Sequence, residues 1–253
     1  IYRSLVCLSV FTGRYAYGQD AMSIYDDTVF HKNIKTVELR NPDFALSQPI
    51  LYLNNSGTLK LDFDDLSAEM QSFSYTFVHC NSNWEPSGLL NTEYIDGFAE
   101  NAINDYQYSA NTIQKYIHYS VEFPSTTFHF TKSGNYILKV YPAASPEEPI
   151  LTRRFLVVDP KVTASAQVHA ASVIEDRNYK QEIEFTIDHP DYPINNVYND
   201  LKVVVIQNNH WKKAKWGLKP KYVKDQQIVY NNDQDNVFSG GSEFRNFNIK
   251  SLR

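Results

Sequence analysis

The chain has 253 residues, enough for two domains that each bury a core of their own. Its 24 Lys and Arg against 29 Asp and Glu give a formal net charge of −5, which provides no field to draw in phosphate backbones and argues against nucleic acid as a partner. Hydrophobic residues make up 42% and charged residues 21%, and 18 Tyr and 15 Phe against 2 Met suit pleated, half-buried surfaces, so the expected class is all-β.

At the N-terminus, Arg3 precedes a short apolar run, Leu5 to Phe11, and small residues follow at Ala16 and Gly18. Residues 1–19 therefore read as an export signal that lacks its start. The run falls far short of the ~20 apolar residues that a membrane-spanning helix needs, and no later stretch comes closer. Cys7 follows the bulky Val6, a poor setting for lipidation. Without that leader Cys80 is the sole cysteine, so no intramolecular disulfide is expected. At the end of an aromatic strand its thiol reads as a small buried filler rather than a nucleophile.

Further along, apolar residues alternate with polar ones at Ile34 to Leu39, Thr58 to Phe63 and Phe73 to Phe77, and these segments are expected to be half-buried strands. Tyr116 to Phe123 continues the pattern. Phe128 to Phe130, the turn at Ser133-Gly134-Asn135, and Tyr136 to Tyr141 read together as a hairpin. Thr152 to Val158 closes this first set, and Asp159-Pro160-Lys161 cannot extend a paired central strand. The expected domains are thus 24–159 and 160–253. The polar, Asn-rich segment from Asp96 to Lys115 shows no helical period and is expected to be a long ordered loop or a short helix, with Phe98, Tyr106 and Tyr108 as anchors. In the second half, strands are expected at Thr163 to His169, Gln181 to Ile187, Leu201 to Gln207 and Gln226 to Tyr230. The architecture this implies is two consecutive antiparallel β-sandwich, immunoglobulin-like domains. Glu243 to Lys250 has the pattern of one more strand, so the second domain is expected to be incomplete at its C-terminus.

Chemistry-bearing constellations are sparse. Asp62, Asp64, Asp65 and Glu69 form the densest carboxylate group, but their spacing fits no calcium loop, and a solvated or capping turn is the expected role. None of the seven histidines forms an HxH or HxxxH pair, and no nucleophile elbow or phosphate-binding Gly motif is present. No catalytic residue, metal ligand or cofactor site is therefore expected. The sharpest charge run, Trp211 to Lys221, interleaves basic residues with two of the three tryptophans, so it could hold an acidic partner, a lipid head-group region or a sugar.

The stretch from Asp62 through Trp84, with its acidic turn, aromatic strand and Cys/Trp loop, is followed by Tyr94-Ile95-Asp96-Gly97-Phe98. Together with Asn33 to Val37, Tyr116 to Tyr119, Ser133 to Tyr136, Arg154-Phe155 and Gly240 to Arg245, it resembles the type IX secretion system plug proteins of Bacteroidota. The resemblance implies a non-enzymatic periplasmic protein at the inner face of the outer membrane. Its partner would be the outer-membrane translocon β-barrel, whose periplasmic opening it would plug. Under this reading the residues expected at the contact are Tyr106, Tyr108, Trp211, Lys212, Lys213, Lys215 and Trp216. The competing expectation is a carbohydrate-binding β-sandwich module of a secreted or surface glycan-handling protein, which requires coplanar exposed rings on one sheet face. A glycan-active enzyme, with two carboxylates facing across a groove, is a third reading.

Overall fold

The computed structural model describes residues 24–44, 47–53, 55–208 and 210–241. The leader expected over 1–19, with Cys7, and the strand expected over 243–250 lie outside the described residues. In the first half, the strands are β1 (Thr28–Val29), β2 (Ile34–Arg40), β3 (Ile50–Tyr52), β4 (Leu59–Asp65) and β5 (Phe73–Cys80), and a helical turn α1 (Asn91–Tyr94) follows. Then come β6 (Ile95–Gly97), β7 (Glu100–Ile103), β8 (Asp105–Tyr108), β9 (Ile117–Phe123), β10 (Phe128–Phe130), β11 (Gly134–Pro142) and β12 (Leu151–Val158). A six-stranded sheet runs β1-β12-β11-β5-β7 with β3 also on β12, and a four-stranded sheet runs β2-β4-β9-β8. All these pairings are antiparallel except β3 on β12, which is parallel.

Period-two alternation explains how the two sheets face each other. Leu59, Leu61 and Phe63 on β4 and Ile117, Tyr119 and Phe123 on β9 point inward from one sheet. Phe73, Tyr75 and Phe77 on β5, Tyr136, Leu138 and Val140 on β11, and Leu151, Phe155 and Val157 on β12 meet them from the other. Rings interlock across the gap: Phe77 and Phe155 both touch Phe123, at 5.0 and 5.3 Å between centroids. Each tyrosine that enters the core also needs a partner for its hydroxyl. Tyr119 donates to the Gln71 carbonyl at 3.0 Å and Tyr136 to that of Lys132 at 2.8 Å.

Two first-half expectations are corrected. Phe128 to Phe130 does not form a hairpin with Tyr136 to Tyr141; β10 pairs instead with β6, and β11 lies between β5 and β12. Nor is Asp96 to Lys115 a long loop. It carries β7, which extends the six-stranded sheet beside β5, and β8, which closes the four-stranded sheet beside β9. Both are edge strands with side chains largely in solvent, so the alternation that betrays a half-buried strand is missing. The Phe98 ring is exposed rather than a buried anchor, whereas Tyr106 leans on buried Tyr119 with 6.0 Å between centroids.

The second half contains β13 (Thr163–Ala170), β14 (Lys180–Asp188), a helical turn α2 (Val197–Asp200), β15 (Val204–Val205), a 3-10 turn (Trp211–Lys213), β16 (Lys215–Trp216), β17 (Tyr222–Val223), β18 (Gln227–Tyr230) and β19 (Val237–Ser239). A five-stranded sheet runs β13-β14-β18-β17 with β19 also on β14. Its inward residues Phe185, Ile187, Ile228 and Tyr230 are covered by Val197 of α2 and by Leu201, Val203 and Val205 around the two-stranded β15–β16 ribbon. The strand expected over Leu201 to Gln207 thus shrinks to two residues, and the second layer here is thin. The all-β, mainly antiparallel expectation holds for both halves.

Candidate interaction surface

The end of β5 leads into a tight turn. The Asn81 side-chain oxygen accepts the backbone N–H groups of Asn83 and Glu85 at 2.8 and 3.1 Å, and the Asn81 N–H donates to the Glu85 carbonyl at 2.8 Å. Asn135 Nδ2 on β11 donates to the Asn81 carbonyl at 2.9 Å and ties the turn to the neighbouring strand. The bend places Trp84 in the left-handed region, φ 65°, an unusual state for a bulky residue. The indole is driven back onto the outer face of the six-stranded sheet, where only 3% of it remains exposed.

There it packs with Cys80 and Ile137, bordered by Val78, Leu156, Tyr25 and Trp211. Burial pushes the Cys80 thiol up to about 11, the behaviour of a core filler rather than a nucleophile. The Arg154 guanidinium lies 4.4 Å from the Trp84 ring centroid and 5.5 Å from that of Trp211, and the two indoles meet edge to face at 4.9 Å. Arg154 is held in turn by the Tyr25 carbonyl at 2.9 Å and by Asp26 at 3.4 Å. Burial lowers its pKa from the ordinary value, against the pull of Asp26 and Asp27. Because Trp211 belongs to the second half, this arginine–tryptophan stack joins the two halves, and the Lys202 ammonium adds a hydrogen bond to Ser82 at 3.1 Å. Trp211 is therefore partly buried within the molecule and forms part of the joint.

The remaining expected contact residues fall into two separate groups. Tyr106 and Tyr108 stand on edge strand β8; Tyr108 is 61% exposed, and the exposed Ile113 follows it along the chain. Lys212, Lys213, Lys215 and Trp216 surround the joint. Lys215 donates to the Asp235 carbonyl at 2.8 Å and lies over the Phe238 ring, while Lys212 and Lys213 face solvent and Trp216 is 47% exposed. The two tyrosine rings stand at 86° to each other, and Trp211 and Trp216 at 36°, so neither pair forms the coplanar platform that a sugar-binding face requires.

The acidic group resolves into structure. Asp62 and Asp64 do not sit in a turn but on the outward face of β4, because the alternation that points Leu61 and Phe63 inward continues through them. Asp62 accepts from Ser120 at 2.8 Å and pairs with Arg40 at 3.2 Å and Lys60 at 3.3 Å, and Asp64 meets His118 at 2.7 Å. Only Asp65 caps a turn, taking the N–H and hydroxyl of Ser67.

A family model described as the first domain of the type 9 secretion system plug protein matches residues 34–159. The chain belongs to this family. The family is one of secretion-system components rather than enzymes. The plug-domain match takes in the whole Asn81–Trp84 turn, Gly97, edge strand β8 and Arg154, and it ends before Trp211. A crystal structure of a hypothetical protein from Parabacteroides merdae is similar over more of the molecule, with a TM-score of 0.83 and 32% identity, covering 87% of this chain and 55% of that one. The chain thus spans about half the length of that relative. No curated protein matches. Among the described residues no helix is long and apolar enough to cross a membrane.

Trp84 and Arg154 matter most to the joint, and neither is among the residues expected at the contact. The signal that could have found them is the Asn81-to-Trp84 turn itself: a large ring at the tip of a tight, Asn-closed turn has to bury against something.

Proposed function

We propose that the protein is a non-catalytic periplasmic component of the type 9 secretion system, bound to the outer-membrane translocon barrel and closing its periplasmic opening. The plug-family match over residues 34–159 carries this reading. A stopper needs stiffness and a contact surface rather than reacting groups. Stiffness comes from the ring-packed sandwich and from the Trp84–Arg154–Trp211 joint, which limits how far the second half can swing. Contact is assigned to the tyrosines of edge strand β8 and to Lys212, Lys213 and Trp216 beside the joint, since an exposed edge strand with aromatic side chains can be paired or covered by a partner. Release of the plug would then free the channel for cargo.

Epitope-tagged protein drawn from its native outer membrane in mild detergent should bring a very large β-barrel with it. The double substitution Y106A/Y108A should reduce that recovery at least severalfold without changing the circular dichroism of the purified chain. Recovery of the tagged protein alone, with retention on a polysaccharide column, would instead favour a glycan-binding module.

A further inference from the structure

In the second half, outside the residues matched by the plug family, strand pairing brings together three metal-ligating side chains that are distant in the sequence pattern. The β13–β14 register sets His169 directly opposite Glu182, and Glu184 follows two residues on, so it shares the same face of β14. One ligating atom from each of the three lies within 4.8 Å of the other two. This face is turned away from the one that carries Ile183, Phe185 and Ile187 into the core.

Glu182 is the decisive residue. Its side chain is 0% exposed, and while Oε2 accepts the Ser172 N–H at 2.7 Å, Oε1 is buried without a hydrogen-bond partner. A buried carboxylate oxygen left unpaired is costly, and a cation is the partner that would satisfy it. The histidine is arranged to match. Its Nδ1 lies 2.8 Å from the Ala170 carbonyl, an arrangement in which Nδ1–H donates and the Nε2 lone pair is left toward Glu184 Oε1, 3.4 Å away. Ligating histidines typically make such an outer hydrogen bond to a backbone carbonyl. His169 and Glu184 are each about a third open to solvent and provide the way in.

We infer that His169, Glu182 and Glu184 form a binding site for a divalent transition-metal ion of the zinc class. One imidazole with two carboxylates suits such an ion better than calcium, which takes roughly six to eight oxygens. Tetrahedral bonds of about 2.0–2.2 Å set donor atoms roughly 3.4 Å apart, the separation His169 Nε2 and Glu184 Oε1 already have, and leave a fourth position open to water or to a donor from another molecule. The inference is independent of the plugging role. The spacing rule for paired histidines could not reveal this site, because its ligands meet across a strand pair.

Titration of the metal-stripped full chain with zinc chloride in a calorimeter tests it. One ion should bind per chain, the thermal midpoint should rise, and the single substitutions H169Q and E184Q, both at partly exposed positions, should each weaken binding by at least about tenfold. Calcium at the same concentrations should give no comparable signal. Absence of stoichiometric zinc binding would overturn the assignment. So would zinc binding of equal strength in both variants, which would place the ion on other surface histidines.

Discussion

Replacing Trp84 by alanine should lower the stability of the full chain by about 3–5 kcal/mol, the usual range for deleting a buried tryptophan. The indole is enclosed by Cys80, Ile137, Trp211 and the Arg154 guanidinium, so its loss leaves a cavity on the outer face of β11 and strips the arginine of one of its two aromatic faces. Two effects therefore combine: lost burial, and loss of a cation–π contact worth about 0.5–2 kcal/mol. Because Trp211 leans on Trp84 from the second half, the variant should also loosen the joint. The fluorescence of the remaining tryptophans should shift to the red in the native state, before any unfolding. Urea denaturation followed by circular dichroism and by emission checks both. A loss below about 1 kcal/mol with unchanged native emission would show that Trp84 does not hold the halves together.

The second large effect is expected at Gly97, within the Tyr94-to-Phe98 motif. Its φ is +105°, and it sits in β6 opposite Phe128. A β-carbon added there would come within 2.8 Å of the Phe128 α-carbon and closer still to the Thr127 carbonyl oxygen. Both obstacles are backbone, so no side-chain rotation relieves them. The cost of a left-handed alanine plus local overpacking puts G97A at about 2–4 kcal/mol. Gly57, by contrast, has an ordinary φ and open space around its hydrogen, and G57A should be within about 0.5 kcal/mol of the parent. Thermal denaturation of the two variants side by side separates the requirement for glycine at 97 from any general intolerance of substitution.

Much of the fold was legible because its central strands are half-buried. Leu59 to Phe63 and Phe73 to Phe77 alternate in the sequence because each has one face on the aromatic core, and each lies in a strand. The edge strands β7 and β8 gave no such signal. Glu100 to Ile103 and Asp105 to Tyr108 are held by backbone hydrogen bonds to β5 and β9, and their side chains lie largely in solvent, where hydrophobic periodicity carries no information. The partner of β10 was illegible for a different reason: the Ser133-Gly134-Asn135 turn fits a hairpin locally, and only tertiary packing assigns Phe128 to Phe130 to β6. The surface was least legible of all. Trp211 and Lys212 are one residue apart, yet the first packs against Trp84 and Arg154 while the second faces solvent, a division set by the approach of the other half of the chain.

The plugging role itself is tested most directly by current through the purified translocon barrel, freed of its native plug and reconstituted in a planar lipid bilayer. Addition of this protein to the periplasmic side should lower the open-pore conductance in a concentration-dependent, reversible manner, and the Y106A/Y108A variant should need a higher concentration to do so. An unchanged conductance while the wild-type protein demonstrably binds the barrel would contradict the account and leave the chain a translocon partner that does not close the pore.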